Sequence, residues 1–136
     1  MERAAYATYG LRIDLATENV NAIAFEIARR EGEIAAAEGE AREKILGLFR
    51  RMMRCGSERY LNALEALCDA VNRGWVSFEI VHADYGTVIM QAVNAYTEEL
   101  ADGNWKPLEA MAERICEHRA SINLPTDSDD ATAKGV

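Results

Sequence analysis

The stretch VNAIAFEIARREGEIAAAEGEAREKILGLFRRMMRC, Val20 to Cys55, decides how this chain is read. Val20, Ile27, Ile34, Ala41, Leu48 and Cys55 recur every seven residues, and Ile23, Ala24, Ile45 and Met52 fill the adjacent positions. Apolar residues repeating at steps of three and four line one side of an α-helix. The spacing predicts one long amphipathic helix from Thr17, whose hydroxyl can cap it, to Arg54, about 55 Å long at 1.5 Å per residue. Gly32, Gly39 and Gly47 each weaken such a helix by about 1 kcal/mol relative to alanine, so a kink or hairpin within EGEIAAAEGE is the competing expectation.

Carboxylates flank this seam. Glu26, Glu33 and Glu40 form a stripe on one side, and Glu31 and Glu38 form one on the other. Two parallel copies of the helix would set like charges against each other, which favours pairing with other helices of the same chain or with a basic partner. These five glutamates are the expected partner-binding residues.

Outward from the seam the periodicity stays helical. A second helix is predicted from Ser57, as its cap, through Leu61, Leu64, Leu67, Cys68 and Val71, ending at Gly74. A third begins near Ser77, carries Phe78, Val81, Tyr85, Val88, Ile89, Val93, Tyr96 and Leu100, and closes at ADGN. WVSFEIV also alternates as a short strand would, but it has no partner strand. The last helix opens with Asn104 as cap and Pro107 in its first turn, presents Leu108, Met111, Ala112, Ile115, Cys116 and Ile122, and stops before Pro125. A short N-terminal helix with Tyr6, Tyr9 and Ile13 turned inward is the remaining element. Trp75 and Trp105, each beside a chain reversal, are expected to plug the core. The fold class is thus all-α: a four- to five-helix antiparallel bundle over residues 1–124, with a flexible acidic tail at 125–136.

Composition narrows the function. The chain has 136 residues, enough for one domain with its own core, and a formal net charge of −8. Acidic balance disfavours direct binding to nucleic acid or to anionic membranes, and the uncharged run Tyr85 to Thr97 is too short to span a bilayer. Three cysteines, Cys55, Cys68 and Cys116, and two histidines offer neither a disulfide framework nor a zinc finger, which points to the cytoplasm.

Two stretches resemble chemical sites. In LFRRMMRCGSERYL, Arg50, Arg51 and Arg54 suit the negative end of a helix that stops at Cys55 and Gly56. The competing reading joins Arg54 and Arg59 to free amides at Ser57 as an anion-docking site. In EIVH, Glu79 and His82 share a helical face and form half of a carboxylate-bridged metal site, which two chains, each adding a glutamate such as Glu26, would have to complete. No Gly-x-Ser-x-Gly elbow is present, and Cys116 and His118 are two positions apart, on different sides of a helix.

The expected function is therefore non-enzymatic and without a cofactor: an adaptor or inhibitor that docks on a larger protein, in one version by mimicking nucleic-acid charge. The alternatives are a ferritin-like metal-binding dimer and a structural homo-oligomer assembled through the alanine-rich face from Ala24 to Ala41.

Overall fold

The computed structural model describes residues 3–134, with side chains described through residue 122. Every regular element among them is helical: α1 (Arg3–Arg29), α2 (Glu31–Ala36), α3 (Gly39–Asn72), α4 (Phe78–Ala95), α5 (Thr97–Leu100) and α6 (Lys106–Lys134). The chain divides into two compact units, residues 1–67 and 68–136.

In the first unit the long seam is folded back on itself. Arg30 leaves helical geometry (φ −102°, ψ 11°), and Ala37 is extended (φ −79°, ψ 147°). A single straight helix would leave Ile23, Ile27 and Ile45 bare; reversal half-buries them and buries Phe49, whereas Ala41, Leu48 and Cys55, expected on the inner seam, are exposed. Arg30 lies over the Phe49 ring, 5.2 Å from its centroid, and Ile23 reaches Gly56. Both contacts are centred on the same point, beside Gly39, as an antiparallel hairpin requires. Ala16 and Ala63, both buried, fall on the same register.

The predicted helix from Thr17 is thereby corrected at both ends. Thr17 sits inside α1, where its hydroxyl donates to the Ile13 carbonyl at 2.8 Å instead of capping. The predicted stop at Cys55 and Gly56 does not occur either, because α3 runs through both. A glycine can remain within a helix when another helix comes too close for a side chain. A Cβ on Gly56 would stand 2.9 Å from Ile23 Cδ1.

In the second unit, α3 ends as predicted at Gly74. With φ +77°, this residue lets its own N–H donate to the Val71 carbonyl at 3.0 Å and that of Trp75 to the Ala70 carbonyl at 2.9 Å. That paired closure is the Schellman motif, and it needs the left-handed conformation glycine adopts freely. Trp75, just beyond it, is turned out to 49% exposure with Arg73 over its ring at 5.2 Å, so only Trp105 fills the core as expected. α4 follows Ser77 and ends earlier than predicted, since Tyr96 (φ −107°, ψ 41°) separates it from α5. α6 begins one residue late for an Asn104 cap: the Trp105 carbonyl accepts its first bond, from Glu109 at 3.1 Å.

α4 packs on α6, and Val81, Ile89, Leu108 and Ile115 are completely buried. Cys116, one residue from Ile115 and so about 100° around the helix, is exposed, as is Ile122. The backbone of α6 continues past Pro125, the predicted stop. Proline withdraws one N–H and crowds the preceding turn but has a helical φ. The expected tail at 125–136 lies outside the residues whose side chains are described.

Candidate functional site

α1 carries two apolar faces. The inner one includes Tyr9, Ile13, Ala16, Val20 and Ile23; Val20 and Ile23 meet α3 at Gly56. The outer one holds Leu11, Leu15 and Phe25, which are 59%, 56% and 71% exposed. At 100° per residue, Leu11, Leu15, Glu18, Ala22 and Phe25 all fall within about 40° of one line, roughly half a turn from the inner face. The stripe steps by four and three, is about 21 Å long at 1.5 Å per residue, and is interrupted at its middle by exposed Glu18.

The five expected glutamates do not form two continuous stripes, because they are divided between α1, α2, the corner and α3. Glu26 is gripped by Arg29 through bonds of 2.7 and 3.1 Å, and Glu33 by Arg30 through bonds of 2.9 and 3.0 Å. These hydrogen bonds, before any longer-range attraction, hold both carboxyls below the usual range. Glu31, Glu38 and Glu40 stay exposed. The alanine-rich run from Ala24 to Ala41 is likewise no single helix face, since it breaks at Arg30 and again at Ala37.

The anion-docking set is separated from the feature it needs. Ser57 is 3% exposed inside α3, so it has no free helix-start amides, and Arg54 and Arg59 are exposed on mid-helix turns.

Glu79 and His82 lie on α4 as expected, but in different surroundings. Glu79 accepts a hydrogen bond from the Ser77 hydroxyl at 3.0 Å. Its carboxyl is held low by backbone hydrogen bonding and then by Ser77. His82 stacks on Phe78 at 5.7 Å and meets His118 of α6 edge-on at 4.9 Å. The Arg119 guanidinium donates to His82 Nε2 at 3.3 Å and to the Thr87 hydroxyl at 3.4 Å. It lies over Gly86, where a Cβ would stand 2.9 Å from Nη2. Arg114 covers the Phe78 ring at 4.0 Å.

A guanidinium can only donate, so Nε2 must be an acceptor and His82 neutral. Burial, then the Arg119 charge and then His118 push its pKa down. The lone pair a metal would need is engaged by a cation. Among the described residues no three histidine, cysteine or carboxylate side chains converge on a common point.

Two features escaped sequence reasoning. Nothing in the local sequence of His118 marks it as a neighbour of His82, because that juxtaposition depends on how α4 meets α6. Leu11, Leu15 and Phe25 left a readable trace, a second four-three repeat about half a turn out of phase with the inner face, which the stronger seam at Val20 to Cys55 overshadowed.

Among the described residues no helix is long and apolar enough to cross a membrane. No family model, curated protein or solved structure matches this chain.

Proposed function

We propose that this chain is a non-enzymatic protein-binding protein, an adaptor or inhibitor of the cytoplasm, that docks on a larger partner through the outer face of α1. The observation that carries this reading is the exposure of Leu11, Leu15 and Phe25 along one line of a helix whose opposite side already meets α3. Burying such a stripe against another apolar surface releases about 25 cal/mol for each Å² covered, and an amphipathic helix face is a recurrent docking element. In this reading the helices gather as an antiparallel bundle, and neither nucleic acid nor membrane is bound directly.

Acidic side chains guide the approach of the partner and do not form the contact itself. Charge mimicry alone receives less support, because two of its five carboxylates are occupied by Arg29 and Arg30. A photo-crosslinking residue placed at position 25, and separately at position 43 on the exposed side of α3, tests the proposal in cells that naturally make the protein. A protein adduct formed at 25 but not at 43, and lost with Leu15→Glu, supports it. Identical adducts at both positions, or none at 25, would overturn it.

A further inference from the structure

We infer that the occupant of the α1 outer face is an amphipathic helix bearing a lysine or arginine at the middle of its apolar side, and not a second copy of this chain. The inference rests on the docking face proposed above and specifies its partner. The stripe's four-three step is that of a helix lying nearly along its neighbour, at a crossing angle of about 20°. Its span from Leu11 to Phe25 calls for a partner segment of about fifteen residues, four turns long.

Glu18 decides the charge. It is exposed at the centre of the stripe, with two hydrophobic positions before it and two after. Covering it with an apolar surface would strip water from a carboxylate without compensation, which a facing cation avoids. Among the described residues no lysine or arginine forms an ion pair with Glu18. Arg29, the arginine on the stripe's own line, is committed to Glu26, and Arg12 lies about 100° around the helix from Leu11. Asp14, at the stripe's edge and exposed, adds a second negative charge.

A second copy fails by the same test. Aligned in register, parallel or antiparallel, two outer faces bring Glu18 against Glu18 in the middle of the apolar seam, where like charges repel most strongly.

Three synthetic helical peptides of eighteen residues serve as probes, identical in their leucine face and differing only in a central lysine, leucine or glutamate. Binding to the full chain is followed by fluorescence anisotropy, and self-association by sedimentation. The lysine peptide is expected to bind at least tenfold more tightly than the glutamate peptide. Glu18→Lys should reverse that order, Leu15→Glu should abolish binding of all three, and the chain alone should sediment as a monomer. An order unchanged by Glu18→Lys, binding of none of the peptides, or a dimer dissolved by Phe25→Glu would overturn the inference. If the adduct at position 25 persists while the peptide order fails, the docking face stands and the partner chemistry is wrong. If the adduct is also absent, both readings fall.

Discussion

Replacing Gly56 with alanine tests the close approach of α1 to α3, and the structure supplies the second half of the experiment. The added Cβ would lie 2.9 Å from Ile23 Cδ1, with Asn19 Nδ2 and Val20 Cγ2 at a comfortable 3.6 Å. One atom therefore accounts for the clash, and Ile23→Val removes that atom. Alanine favours the helix by about 1 kcal/mol over glycine, while overpacking costs about 1–3 kcal/mol. Gly56→Ala alone should thus range from neutral to a loss of about 2 kcal/mol. Ile23 is only half buried, so Ile23→Val should cost about 0.5 kcal/mol, the low end for this change. Simple addition would leave the double variant about 0.5–2.5 kcal/mol less stable than the native chain. Relief of the clash instead makes it about 0.5 kcal/mol more stable, because the helix gain survives and the overpacking does not. The four proteins are compared by urea unfolding followed by circular dichroism, and about 4 °C in melting temperature corresponds to each kcal/mol for a chain of this size. A coupling below about 0.5 kcal/mol, the ordinary limit of additivity, would refute the hairpin register.

Other expectations are quickly checked. Trp105→Ala should cost about 3–5 kcal/mol because the ring is buried, and Trp75→Ala clearly less because about half of its surface is exposed; urea midpoints separate the two. His82 has a folded pKa below its ordinary 6.5, so the unfolded chain binds the extra proton first. Its contribution to stability is complete above that value and is lost as pH falls through the folded pKa; unfolding at a series of pH values should show this slope, flattened in His82→Gln. Gly86→Ala should displace the Arg119 guanidinium and let His82 titrate nearer its ordinary value by NMR, with little change in overall stability. Cys55 and Cys116 are exposed and Cys68 is buried, so a thiol reagent should label two cysteines in the native protein and the third only after denaturation.

Local chemistry made the helices legible, but the way they meet could not be read from it. Gly74, Ser77 and Pro107 marked their boundaries because each acts on its own turn. The seven-residue repeat of Val20 to Cys55 correctly identified helical residues, yet it cannot distinguish one long helix from two that fold together, since reversal moves the contact on α3 to Phe49 and Gly56 and leaves Ala41, Leu48 and Cys55 exposed. Gly56 misled for a related reason: in sequence it resembles a stop, and only the arrival of Ile23 from thirty-three residues earlier shows why it stays helical. The glutamates were located as charges, but their pairing depends on the corner at Arg30. The Glu79–His82 spacing was real, while the Arg119 donor that neutralises its meaning as a ligand pair came from another helix.

The two tight glycines also constrain how this sequence can drift over generations. A side chain gained at position 56 presses on the one at position 23 and is eased when that one shrinks, whereas a gain at 86 meets only the movable end of Arg119. Descendants that keep the fold should therefore change 23 and 56 as a matched pair, while position 86 is freer to drift and shifts the setting of His82 instead of the stability.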